Sequence, residues 1–227
     1  MYQNMTDFNI ITFFLYAFTS LLIIVNPIAA MTVYTSITSG MNAQYHRRIA
    51  NYSCRLAFLV LLFFTLVGSA LLDLFGISIQ AFTIAGGLLL LFVGFEMVNA
   101  KTSRTKMTAV EKYQQIDPEE ISSMPLAFPM IAGPGSITTV IVLSKEVPHH
   151  EYISVLPISY QTLLIILCLA VTIIITWFTF VFSEKLSSHI QEREYRVLNR
   201  LMGIMLMAIA VQFMINGLSQ AFPGIVQ

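Results

Sequence analysis

The chain has 227 residues, of which 56% are hydrophobic and only 11% charged, with a formal net charge of zero and a mean hydropathy of +0.76. Soluble domains run to about 45–50% apolar and about 25% charged residues, so this composition excludes an ordinary soluble domain and indicates an integral membrane protein. The charge is balanced and the basic residues are spread over loops, which argues against a nucleic-acid partner and for the lipid bilayer as the chain's surroundings.

Taken in chain order, apolar stretches of at least about 18 residues with few charges predict six spans. The first, Phe8 to Thr38, follows an N-terminus without Lys or Arg and is far longer than the apolar region of a cleaved signal, so it is expected to remain as a span. It is also too long for a simple crossing. Its 31 residues at about 1.5 Å each make a rod of about 46 Å, against a hydrocarbon core about 30 Å thick, so it must tilt or break, and Pro27 lies inside it. Leu56 to Leu74 and Ile79 to Val98 supply spans two and three. Asn99 to Ser123, charged and containing Asp117-Pro118-Glu119-Glu120, reads as a cytoplasmic linker. Pro125 to Ser144 is the fourth span and holds Gly133-Pro134-Gly135, among the poorest sequences for continuing a helix. The Pro148 to Glu151 loop has adjacent histidines without a recognised metal-ligand spacing, and no metal site is expected there. Ser159 to Phe182 and Leu201 to Leu218 complete the set.

The distribution of basic residues tests that count. With six crossings, Arg47, Arg48, Arg55, Lys101, Arg104, Lys106, Lys112, Lys185, Arg193, Arg196 and Arg200 share one side, and Lys145 alone lies on the other. The positive-inside rule makes the crowded side cytoplasmic and leaves both termini outside. One span more or fewer would scramble the partition.

The halves also resemble each other. An offset of 107 residues lays Asn26 to Tyr34 over Gly133 to Ile141, matching Pro27 with Pro134 and Thr32 with Thr139. An offset of 116 lays Gly87 over Gly203, Gly94 over Ala210 and Glu96 over Gln212. Three spans per half require the second half to enter from the opposite face. The expected fold class is therefore an all-α membrane protein of six transmembrane helices, built as two inverted three-helix repeats with helices 1 and 4 broken. Residues 1–98 form the first repeat, 99–123 the linker and 124–227 the second repeat.

A helix break at membrane depth survives only where it faces protein or water, because unsatisfied backbone groups cost several kcal/mol each in hydrocarbon. A lone proline is most simply a packing kink. Two breaks at equivalent places in opposed halves form the arrangement in which discontinuous helices build a substrate site near the midplane. Amides freed after Gly135 would suit a carboxylate, and carbonyls freed before Pro27 and Pro134 would suit an ammonium group or a cation. The expected substrate-binding residues are Asn26, Pro27, Thr32, Gly133, Pro134, Gly135, Ser136 and Thr139. Asn26 stands out because its amide both donates and accepts at the break. Thr35, Ser36 and Thr138 follow the breaks too, although Ser and Thr in membrane helices commonly bond back to their own backbone. No span carries a Lys, Arg, Asp or Glu near its middle; Glu96 lies near the end of span three and reads as an interfacial carboxylate. The ligand is therefore expected to be neutral overall, such as a zwitterion. The small residues Gly87, Gly94, Gly203, Ala210 and Gly217 predict close helix packing.

Asn26-Pro27, FGISI from Phe75, IAGGLLLLFVGFEM from Ile84, PLAFPMIAGPGSI from Pro125 and RLMGIMLMAIAVQFMINGL from Arg200 together resemble the MarC family of small bacterial and archaeal membrane proteins, in the wider LysE-type exporter group. The resemblance covers nearly the whole chain. It implies a six-helix inner-membrane protein and, for function, transport of small neutral amino acids.

These readings converge on a non-enzymatic secondary transporter of small neutral amino acids in the bacterial inner membrane. No GxxxxGK[ST] loop is present to bind a nucleotide, so an Na⁺ or H⁺ gradient is the expected drive, with no other cofactor; a homo-oligomer is compatible with the sequence. Two other classes compete. One is a non-transporting scaffold or regulator, which has little use for paired breaks. The other is a thiol electron carrier built on Cys54 and Cys168, which lack a Cys-x-x-Cys pattern and fit buried free thiols.

Overall fold

The computed structural model describes residues 10–38, 41–99, 122–145, 160–183 and 192–222. They are helical throughout, without strands among them: α1 (Ile10–Val25), α2 (Pro27–Thr38), α3 (Ala43–Leu74), α4 (Ile79–Asn99), a π-helical stretch (Ser122–Ile131), α5 (Pro134–Lys145), α6 (Tyr160–Val181) and α7 (Glu192–Ala221). Most of the charged linker and the Pro148 to Glu151 loop lie outside the described residues.

The apolar runs locate the helices closely, with two differences. Helix α3 begins at Ala43 rather than Leu56. Hydropathy reports only the part immersed in lipid, whereas the helix starts where Asn42 caps it, its Oδ1 accepting the Tyr45 amide at 2.9 Å. Helix α7 likewise begins at Glu192, ahead of its apolar run. The fourth span is broken where the sequence expects it, into the π-helical stretch and α5, and neither piece by itself reaches the length of a crossing helix. Five stretches among the described residues are long and apolar enough to cross a membrane: Ile10–Thr35 taken through Asn26, α3, α4, α6 and Arg200–Ala221.

The FGISI segment is the turn between α3 and α4. Gly76 adopts φ +66°, the left-handed conformation that glycine enters without steric cost. Its amide donates to the Asp73 carbonyl, and the Ile77 amide donates to the Leu72 carbonyl at 2.9 Å, so the last carbonyls of α3 are satisfied in a Schellman motif. Ser78 then opens α4, its hydroxyl accepting the Ala81 amide. Four residues thus reverse the chain with its helix ends capped.

Among the described residues, helices α4 and α7 form the most extensive pair, along a seam of small residues. A Cβ built on Gly87 would lie 2.8 Å from the Ala210 carbonyl oxygen; one on Gly94 would lie 2.9 Å from that of Gly203, and one on Gly203 would lie 2.9 Å from that of Gly94. One on Gly217 would lie 3.0 Å from the Gln80 oxygen. Falling positions on α4 meet rising positions on α7, so the helices are antiparallel, and at these positions only glycine, which has no Cβ, lets the backbones come this close. The main core lies where α1, α2 and α5 pack against α3 and α6, with Tyr34 stacked on Phe180 at a centroid distance of 4.4 Å.

Large apolar side chains face outward along every long helix. On α6, Leu163, Leu167, Ile174 and Phe178 form an exposed stripe, while Leu164, Ile165, Cys168 and Leu169 face the core. A water-soluble protein does not carry such stripes on all its helices, but lipid chains solvate them.

Candidate functional site

Two interruptions sit inside otherwise continuous helical paths, both where Pro and Gly were expected to produce them. At the first, Asn26 alone leaves the helix, with φ +48° and 5% exposure. Its amide still donates to the Leu22 carbonyl and its carbonyl still accepts the Ala30 amide, both at 3.0 Å. Pro27 has no amide to offer the Ile23 carbonyl. The Ala29 amide donates to Asn26 Oδ1 at 3.1 Å, so Asn26 is the N-cap of α2 and the Val25 carbonyl forgoes that donor. Asn26 Nδ2 points the other way and donates to Met97 Sδ on α4 at 3.6 Å.

The second interruption is wider. The Ala132 amide reaches back five residues to the Ala127 carbonyl at 2.8 Å, so the chain arrives at Gly133 wound as a π-helix. A Cβ on Gly133 would collide with the Pro129 carbonyl oxygen, so only glycine fits. Pro134 then opens α5, in the first helical position where its missing amide costs nothing. The amides of Gly135 and Ser136 lie in the first turn and have no partner within the helix. Ser136 Oγ donates to the Ile131 carbonyl at 2.8 Å, a bond that spans the break.

The interruptions meet. Helix α1 packs against α5, and α2 against the π-helical stretch. A Cβ on Gly135 would lie 3.4 Å from Ile24 Cγ2 and closer still to Leu90 Cδ2, so Gly135 sits between the chain just before the first break and the middle of α4. Gly133, Gly135, Ser136 and Thr139 are buried, and Pro134 is exposed.

The threonine hydroxyls bond back to their own helices. Thr32 donates to the Ala29 carbonyl at 2.7 Å, Thr35 to those of Met31 and Thr32, Thr138 to Pro134 and Thr139 to Gly135 at 2.8 Å. Each is spent on its own helix, leaving only oxygen lone pairs for a ligand; the Ser36 side chain lies outside the described residues. The supply of freed carbonyls is also smaller than expected, because Ser136 occupies that of Ile131, and Ile137 donates to that of Gly133. Among the expected residues, Asn26, Gly135 and Ser136 keep the most distinctive geometry. The sequence does not single out Met97 and Leu90: both lie on α4, a predominantly apolar helix in which neither residue is marked by a motif or by periodicity.

Glu96 is exposed near the end of α4. Lys145, the one basic residue expected opposite the others, pairs with Asp73 at 2.8 Å. Cys54 and Cys168 are buried free thiols on α3 and α6, and Cys168 Sγ lies 3.7 Å from the Phe14 carbonyl oxygen.

A family model described as MarC family integral membrane protein matches residues 11–222. A UPF0056 membrane protein of Methanocaldococcus jannaschii is 35% identical over 92% of this chain and 97% of its own length. The UPF0056 membrane protein YhcE of Escherichia coli is 31% identical over 99% of both chains, and YvbG of Bacillus subtilis is 32% identical over 93% of this chain and 97% of its own. No solved structure matches. With its several apolar helices and a family match over nearly its whole length, the chain belongs to the MarC family of integral membrane proteins.

Proposed function

We propose that this protein is a secondary transporter of small neutral amino acids, working by alternating access of two inverted halves around the paired breaks. The observation that carries this reading is the meeting of the two interrupted helices, with Ile24 against Gly135. Two broken helices that cross a membrane in opposite directions place the first half of each beside the second half of the other, which is the pairing of α1 with α5 and of the π-helical stretch with α2. The seam between α4 and α7 supports the inverted repeat as well. Under the 116-residue offset, the Gly87–Ala210 contact becomes the Gly203–Gly94 contact, the exchange that a two-fold axis between opposed helices produces.

In this reading the π-helical stretch and α5 together complete six crossings, and both termini lie outside the inner membrane of a bacterium, the orientation that the positive-inside rule favours. The first amides of α5 meet the substrate carboxylate. The carbonyls released at Ile23 and Val25 meet its ammonium group or a coupling Na⁺, and an ion gradient supplies the energy without an enzymatic step. A zwitterion suits a site of dipoles with no buried counter-charge among the described residues.

The test is uptake of labelled glycine, alanine and serine into proteoliposomes, with Na⁺ and pH gradients imposed separately. Saturable flux driven by one gradient is the expected result. Absence of flux under every gradient, from protein shown to be folded, overturns the proposal in favour of a scaffold or regulator.

A further inference from the structure

Asn26 occupies a backbone conformation that side chains other than glycine's rarely accept, and it does so while almost wholly buried. Its carboxamide has a defined orientation. The Ala29 amide requires an oxygen, so Oδ1 faces α2 and the NH₂ group must face α4. There it meets Met97 Sδ at 3.6 Å. A thioether is among the weakest acceptors in the side-chain repertoire, so a group able to donate two hydrogen bonds is held at the break by a poor one. Met97 is itself anchored at the α4–α7 seam, where a Cβ on Gly203 would lie 3.0 Å from Met97 Cβ. Its flexible thioether therefore links the seam to the broken helix.

The geometry points to Asn26 Nδ2 as a donor to the substrate carboxylate, with Met97 Sδ as the place-holder that keeps this donor in register until the carboxylate displaces it. The inference rests on the transport reading above. A carboxylate oxygen accepts a charge-assisted bond far stronger than the one to sulfur, so the exchange favours binding. The strength of the contact that must be given up then tunes affinity, which makes Met97 a positioning residue.

Two substitutions separate this role from packing. In proteoliposome uptake, M97L keeps the volume and removes the acceptor, and its KM should fall about threefold, the scale of a weak hydrogen bond. M97Q supplies an amide oxygen that binds Asn26 more tightly, and its KM should rise about tenfold, the scale of an ordinary one. In both, KM should move more than kcat. KM unmoved, or moved in the same direction in both, overturns the inference and leaves the transport reading standing; a wild type without saturable flux overturns both. A second measurement needs only M97L: competition by ethylamine, which has no carboxylate, should be equal in M97L and wild type while competition by alanine differs. An equal change for both competitors overturns the assignment of the carboxylate as the displacing group.

Discussion

The reciprocal contact between Gly94 and Gly203 lends itself to a double-mutant cycle. A methyl group on either residue would sit 2.9 Å from the other's carbonyl oxygen, with the Met207 backbone nitrogen at 3.1 Å from the Gly94 position and the Met97 and Val98 side chains at 3.0 Å from the Gly203 position. Backbone cannot rotate aside as a side-chain tip can. To bring 2.9 Å out to an ordinary contact near 3.4 Å, the helices must part by about half an ångström along much of the seam. Overpacking of this kind costs about 1–3 kcal/mol, partly offset by the gain of up to about 1 kcal/mol in helix propensity when glycine becomes alanine. The offset cancels in a cycle, whereas the cost of parting the helices does not, because one opening accommodates both methyl groups. The G94A/G203A double variant should therefore be less destabilised than the sum of the singles by about 1–3 kcal/mol. Reversible unfolding in mixed micelles measures this coupling. Gly68, which faces Ile141 on α5, serves as a distant control whose substitution should add normally to G203A. Additivity of G94A and G203A within about 0.5 kcal/mol would refute the shared-opening argument.

Three further outcomes are expected. Asn26→Gly and Asn26→Ala both lose the weak Asn26–Met97 contact, but Asn26→Gly tolerates the positive φ and gives up the cap for a few tenths of a kcal/mol, whereas Asn26→Ala loses the cap at about 1 kcal/mol and adds about 1–2 kcal/mol of left-handed strain; thermal unfolding should rank Ala clearly below Gly, and equal stabilities would contradict the strained cap. The Lys145–Asp73 pair is partly exposed, so K145D alone should lower stability by no more than about 1 kcal/mol, with the K145D/D73K swap restoring it in low salt; no recovery in the swapped variant would show that the pair holds nothing. Alanine at both Cys54 and Cys168 should leave amino acid flux intact, and loss of flux in folded protein would revive the electron-carrier alternative.

The amino-acid sequence alone determined the class of this protein and the positions of its breaks, because both follow from local chemistry. Apolar runs leave no choice but lipid, and Pro27 and Gly133-Pro134-Gly135 interrupt a helix wherever it is placed; the interruptions duly fall at Asn26 and at Gly133. Helix α4 begins at Ile79, where the pattern puts it. What the tertiary structure decided is how the interruptions are used. The Ser136 bond across its break depends on π-helical winding that no propensity signals, and the cap on α3 lies beyond the reach of hydropathy. Met97 reaches Asn26 across 71 residues of sequence, and in a helix apolar on all sides no periodicity distinguishes the side chain facing a break from those facing lipid. In a membrane both faces of a helix read alike, so only packing of helix against helix assigns them.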